Sequence, residues 1–197
     1  HKSESGDLCA VATDGHRLAL TRQSLPSGAA SMPSIILPRK AVTELRKLLD
    51  DFEGDVNVSL SDTRAEFGFG AVNLKSKLID GTFPDYTRVI PEGNDRIMQV
   101  DVAAFSAAVD RVSTISSEKS RSVKLRLQPG MLNLSASSTD ASSAVEELEV
   151  SYDGPEMEIG FNARYLLDIA SQVMSDTIEF ALADQGSPSL VRAPGDE

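Results

Sequence analysis

Cysteine is nearly absent from this sequence. Its 197 residues include one, Cys9, which excludes an internal disulfide framework and a cysteine-rich zinc module. Histidine is almost as scarce, and His1 and His16 leave little material for a metal site. No apolar run approaches the ~20 residues that span a bilayer, and no signal peptide is recognisable. A phosphate-binding G-x-x-x-x-G-K-[ST] loop, an H-E-x-x-H helix and a G-x-S-x-G elbow are all missing. Basic charge is in deficit, with 19 Lys+Arg against 30 Asp+Glu and a net charge of -11. An acidic balance argues against simple adhesion to nucleic acid, whose affinity comes from neutralising phosphates. These absences point to a soluble protein suited to a reducing cytoplasm. The opening His-Lys-Ser-Glu-Ser-Gly-Asp and the closing Ala193-Pro-Gly-Asp-Glu197 suggest a piece of a longer protein.

What is present is enough for a core: 41% apolar and 25% charged residues. At roughly 150 residues per domain, the length suggests one large or two small domains. Leu8–Ala12 and Arg17–Thr21 read as strands, and Asp14-Gly15 between them predicts a type I′ hairpin turn. Residues 23–34 read as a Ser/Gly/Pro loop and Ser34–Leu37 as a short strand stopped by Pro38. A helix is predicted over 39–49, with Val42, Leu45, Leu48 and Leu49 as its apolar stripe. Strands follow at Val56–Leu60, Arg64–Phe69 and Val72–Leu78. The turn-former cluster Pro91-Glu-Gly-Asn-Asp95 is the expected domain boundary, within about three residues of Gly93.

The pattern then restarts. A strand at Ile97–Val100 leads to a helix capped by Asp101, with Val102, Phe105, Val109 and Val112 as its stripe. Strands are predicted at Ser122–Leu127, Met131–Ala136, Val145–Tyr152 and Met157–Phe161. Asn162 caps a further helix, to about residue 174, with stripe Tyr165, Leu166, Ile169 and Val173. Thr177–Leu182 and Ser189–Arg192 complete the strands. Shifting Val42, Leu45 and Leu49 by 124 positions gives Leu166, Ile169 and Val173, and shifting Leu60 and Asp62 by 122 gives Leu182 and Asp184. Together with the repeated order of elements, this suggests tandem copies of one α+β fold, antiparallel sheets with helices on one face.

Candidate chemistry is thin. His16 beside Asp14 could serve as a base in a hydrolase, with Cys9 or a serine as nucleophile, but the turn gives poor geometry for it. The acidic pairs Asp50-Asp51 and Glu146-Glu147 read as solvated surface. The opposite face of the 39–49 helix is more informative: Arg39, Lys40, Arg46 and Lys47 stand against one acid, Glu44. Positive charge is therefore segregated within an acidic chain, with Glu146-Glu-Leu-Glu149 as an opposite pole.

Four motifs occur in order: Val11-Ala-Thr-Asp-Gly-His-Arg-Leu-Ala19, Leu37-Pro-Arg-Lys40, Lys77-Leu-Ile-Asp-Gly-Thr-Phe-Pro-Asp-Tyr-Thr-Arg-Val-Ile-Pro91 and Glu156-Met-Glu-Ile-Gly-Phe-Asn162. Together the chain resembles the bacterial sliding-clamp family, the β subunit of DNA polymerase III, along essentially its whole length. The resemblance implies the later part of a second clamp domain over 1–92 and a third clamp domain, without its terminal strand, over 93–197. It implies a non-catalytic processivity factor of the polymerase holoenzyme, in the cytoplasm at the nucleoid, that encircles duplex DNA as a homodimeric ring without reading sequence. No cofactor or metal is implied.

The same resemblance assigns residues. Arg39, Lys40, Arg46 and Lys47 would face DNA. A peptide pocket between the second and third domains would use Thr13, Gly15, His16, Arg17, Leu18, Pro84, Arg88, Val89, Ser189 and Leu190. It would take the Gln-Leu-x-Leu-Phe-like peptides of the polymerase α subunit, the clamp loader, repair polymerases and mismatch-repair proteins. Thr114 and Ile115, with Glu146 and Glu147 as an acidic rim, would meet the partner subunit. The alternative is a peptide-binding adaptor of the same fold that never encircles DNA.

Overall fold

The computed structural model describes residues 1–115, 121–138 and 142–196. The chain divides into two compact units, His1–Pro84 and Asp85–Glu197. This division falls earlier in the chain than the Pro91–Asp95 cluster, which lies inside the second unit.

In the first unit, β1 (Leu8–Thr13) and β2 (Leu18–Gln23) form an antiparallel hairpin. Its turn differs from the expected type I′ form. Four residues separate the strands, and Gly15 alone among them has positive φ, +86°. The Asp14 carboxylate explains this: Oδ1 accepts the backbone N–H groups of His16 and Arg17, both at 3.1 Å. Asp14 thus closes a side-chain turn instead of entering the left-handed region itself.

Helix α1 spans Arg39–Leu49, the predicted bounds. It packs with the antiparallel sheet β3 (Asn57–Leu60), β4 (Arg64–Phe69) and β5 (Val72–Lys77), with β4 in the centre. Ala65, Phe67 and Phe69 alternate inward from β4, and Leu45, Leu49, Phe52 and Leu74 pack against them. Val42 and Leu48 of the predicted stripe are exposed, at 49% and 43%. The expected strand at 34–37 is not formed. Ile36 O accepts one bond, from Ile79 N at 2.9 Å, and Pro33 and Pro38 on either side have no N–H to extend a ladder.

In the second unit, residues Tyr86–Val89 form a 3₁₀ turn. Then come β6 (Arg96–Asp101), α2 (Val102–Ser113), β7 (Ser122–Gln128), β8 (Met131–Ser137), β9 (Ser143–Glu149), β10 (Met157–Asn162), α3 (Ala163–Ala170), β11 (Thr177–Leu182) and β12 (Leu190–Arg192). Two antiparallel sheets result, in the orders β10-β7-β8-β9 and β12-β11-β6. Alternation builds the larger one. Val123, Leu125 and Leu127 on β7 face inward beside Leu132, Leu134 and Ala136 on β8. The smaller sheet contributes Met98, Val100, Ile178, Phe180 and Leu182 to the same core. Helix α2 packs against α3 and the larger sheet, and Phe105 meets Phe180 with ring centroids 5.2 Å apart.

Both predicted caps form: Asp101 Oδ1 accepts Ala104 N at 2.7 Å and Asn162 Oδ1 accepts Arg164 N at 2.9 Å. Helix α3 is shorter than its apolar period. Beyond Ala170, Gln172 N and Val173 N bond three residues back, to Ile169 O and Ala170 O, so the chain tightens out of the helix. Val173 nevertheless packs against the core. An apolar period that outlasts the backbone helix is invisible to periodicity alone.

Candidate functional site

The expected peptide-binding residues fall in three local clusters. Thr13 and Leu18 are direct partners at the mouth of the β1–β2 hairpin. Thr13 Oγ1 donates to Arg17 O at 2.8 Å and accepts Gly15 N at 3.2 Å. Arg17 Nε also donates to Asp14 Oδ2 at 3.2 Å. The loop therefore ties its own polar groups together, leaving Leu18 half-buried and His16 exposed at the tip. Backbone N–H donation from His16, with further bonds from Arg17, holds the Asp14 carboxyl below its ordinary range. That carboxylate is engaged in shaping the turn.

The second cluster is the segment from Pro84 to Val89. Asp85 precedes the 3₁₀ turn and organises it: Oδ1 accepts Thr87 Oγ1 at 2.6 Å, and Oδ2 lies 3.0 Å from Arg88 Nε. Val89 is 58% exposed, a branched apolar side chain displayed to solvent. Pro84-Asp85 reads in the sequence as a turn signal, but Asp85 is not among the expected site residues, although its three-residue spacing to Arg88 is readable there.

Ser189 and Leu190, the third cluster, are half-buried where the chain enters β12. The turn before them is closely bonded. Asp184 Oδ1 accepts Gly186 N and Ser187 N, and Oδ2 accepts Ser187 Oγ, all at 2.8 Å.

Arg39, Lys40, Arg46 and Lys47 are all exposed on α1. At 3.6 residues per turn, Arg39, Thr43, Lys47 and Lys40 follow one another around one side of the helix, and Arg46 borders the apolar side. The first turn carries Arg39 and Lys40 and no acid, whereas Arg46 and Lys47 lie in the last turn. Positive charge there opposes the helix macrodipole, so helix stability does not explain Arg39 and Lys40.

At the C-terminal end of α2, Thr114 caps the helix and is exposed, and Ile115 is half-buried. Glu146 and Glu147 lie on β9, an edge strand of its sheet. The two regions are connected by Arg111 in the last turn of α2, which grips Glu146 with two parallel bonds. That guanidinium holds the Glu146 carboxyl below its ordinary range. No sequence signal marked Arg111, because its partner is 35 positions away.

The central-domain model of the DNA polymerase III β subunit matches residues 1–85, and the C-terminal-domain model of the same subunit matches 87–197. The chain belongs to the DNA polymerase III β subunit family. The β sliding clamp of Caulobacter vibrioides is 51% identical over 196 residues, covering 98% of this chain and 53% of that protein. The clamp of Escherichia coli K12 is 37% identical over 188 residues, 94% of this chain and 50% of that protein. Among solved structures, a DnaN clamp from Bartonella birtlesii bound to griselimycin superposes with a TM-score of 0.93. It shares 51% identity and covers 97% of this chain and 52% of that one. A Pseudomonas aeruginosa clamp gives 0.90 at 36% identity, covering 99% and 53%. The chain thus spans about half the length of the β subunits it matches. These matches account for the α+β fold. Among the described residues, no helix is long and apolar enough to cross a membrane.

Proposed function

We propose that this chain is part of a replication processivity clamp, a non-catalytic subunit that closes around duplex DNA and tethers the replicative polymerase in the cytoplasm at the nucleoid. The basic face of α1 carries the reading. Four exposed cations are gathered on one short helix of a chain with net charge -11. Two of them sit where the helix dipole disfavours them. A ring holds DNA topologically and needs little adhesion. An acidic exterior suppresses non-specific sticking, and mobile Lys and Arg side chains can touch phosphates without reading bases. The same face favours a DNA-encircling clamp over an adaptor that only binds peptides. A hydrolytic role for His16 gains no support, since Asp14 spends its carboxylate on the turn backbone and Arg17.

The clamp's second task in this reading is docking of Gln-Leu-x-Leu-Phe-like peptides from the polymerase α subunit, the clamp loader, repair polymerases and mismatch-repair proteins. The residues read as serving that docking are Thr13, Gly15, His16, Arg17, Leu18, Pro84, Arg88, Val89, Ser189 and Leu190. Leu18, Pro84 and Val89 supply apolar surface, while Arg17 and Arg88 supply alkyl stems and donors. Thr114, Ile115, Glu146 and Glu147 would meet the second subunit of the homodimer.

The test of the clamp reading is retention on primed circular DNA. Alanine at Arg39, Lys40, Arg46 and Lys47 together should reduce loading or retention, most strongly at low salt, since exposed charges are screened beyond about 8 Å at physiological ionic strength. The far-ultraviolet circular dichroism should stay unchanged. Equal retention at low salt would remove these residues from the DNA-facing surface.

A further inference from the structure

The turn that leads into Ser189 and Leu190 is held from a distance by Asn94. Its side-chain Nδ2 donates to Ala181 O at 2.9 Å and to Pro188 O at 3.0 Å. Both partners are carbonyl oxygens, so the orientation of the amide is fixed by what it faces. Ala181 lies near the end of β11 and Pro188 just before β12. One half-buried amide therefore bridges the two ends of the turn, while the Asp184 carboxylate fastens its tip through Gly186 and Ser187.

The strand beyond the turn is held in a similar way. β12 has three residues, paired with β11 at Glu179↔Arg192, Phe180↔Val191 and Ala181↔Leu190. So short an edge strand has little ladder to keep it in place. Glu179, 7% exposed and the one buried charged residue among those described, accepts Arg192 Nε at 2.9 Å and Gln99 Nε2 at 2.8 Å. The resulting row runs across all three strands of the sheet, β6 through β11 to β12. Leu190 thus stands between two fasteners, Asn94 before it and Arg192 after it.

We propose that Asn94 is a positioning residue for peptide recognition: it pre-shapes the Ser189–Leu190 surface before a partner peptide arrives, with the Gln99–Glu179–Arg192 row holding the strand beyond. This rests on the reading of Ser189 and Leu190 as peptide-binding residues. A preformed surface leaves little to order on binding. Without Asn94 the competent form becomes a fraction of the population, and the association rate falls to that fraction of its wild-type value. Contacts in the bound state are unchanged, so the dissociation rate stays as in wild type. A residue that touches the peptide directly shows the reverse, an effect mainly on dissociation.

The experiment is stopped-flow binding of a fluorescein-labelled Gln-Leu-Ser-Leu-Phe peptide to wild type, Asn94→Asp and Leu190→Ala. Asp has the shape of Asn but turns acceptors toward both carbonyls. The expected result is an association rate lower by about fivefold or more in Asn94→Asp with an unchanged dissociation rate, and faster dissociation in Leu190→Ala. Hydrogen exchange provides a readout that does not depend on binding. The Gly186 and Ser187 amides should lose protection in Asn94→Ala and regain it when saturated with peptide. If Leu190→Ala weakens binding while Asn94→Asp associates at the wild-type rate, or if protection is unchanged in Asn94→Ala, the proposal is overturned and the peptide reading survives. If Leu190→Ala binds as wild type, this surface is not part of the peptide site and the proposal falls with that reading.

Discussion

Arg111 and Glu146 face each other in a two-pronged pair: Nε to Oε1 at 2.7 Å and Nη2 to Oε2 at 2.8 Å. The pair fastens the last turn of α2 to edge strand β9, so that Thr114 and Ile115 follow a fixed helix end. The parallel fork is the geometry in which a guanidinium holds a carboxylate most specifically. Lysine at 111 would offer one point charge and lose the fork.

The subunit contact proposed above makes this geometry testable. In the full-length protein, Thr114→Ala combined with Ile115→Ala should shift the sedimentation distribution from dimer toward monomer. Arg111→Lys should produce a smaller shift in the same direction. A dimer constant unchanged by the double variant would remove Thr114 and Ile115 from the interface.

Peptide affinity should be roughly micromolar, about -8 kcal/mol. Two apolar anchors, each worth roughly 1.5–3 kcal/mol before costs, account for much of it. Deleting the peptide's Phe should cost about 2 kcal/mol, the behaviour of a hot spot. Leu18→Ala and Arg88→Ala should each weaken binding in fluorescence anisotropy, whereas Cys9→Ser should not. Coincident curves from folded wild type, Leu18→Ala and Arg88→Ala would place the site elsewhere.

Gly154 has no room for a side chain. A Cβ built there would lie 2.6 Å from Tyr152 Oη and 2.7 Å from its Cζ. Tyr152 is buried and donates to Pro155 O at 2.6 Å, so the ring cannot move without losing that bond. Gly154→Ala should destabilise by about 1–3 kcal/mol in urea denaturation, as overpacking does. The double variant Gly154→Ala/Tyr152→Ala should show a strongly reduced penalty for the glycine change, because the clashing ring is gone.

Glu179 predicts an acid dependence. The Gln99 amide, with a further contribution from Arg192, holds its carboxyl below the ordinary value of 4.5, against the opposing effect of burial. A carboxylate with a depressed folded-state pKa stabilises the fold above its unfolded value and loses that contribution as pH falls through the folded value. The Tm of wild type should therefore exceed that of Glu179→Gln at neutral pH. The gap should narrow as pH falls below about 4.5. A gap constant from pH 6 to pH 3 would show that the carboxylate charge contributes nothing.

Patterns local in the chain survived into the structure because local chemistry sets them. The alternation Val123, Leu125, Leu127 put one face of β7 in the core. Asp101 and Asn162 capped their helices because a short acceptor side chain reaches the free N–H groups of the first turn wherever it occurs. The basic side of α1 needed only the helical period, and the hairpin loop, strands aside, lay within one motif.

Tertiary packing decided what no local rule reaches. Periodicity carried α3 on to Val173, but the backbone left the helix at Ala170 while Val173 kept its core contact. Arg111 found Glu146 across 35 positions, and Asn94 found Ala181 and Pro188 across 87 and 94. Hydrogen bonds and ion pairs act over a few ångströms in space, whatever the distance along the chain. Which polar side chains hold the Leu190 turn and the end of α2 was therefore settled only when the sheets closed and brought those carbonyls and carboxylates within reach.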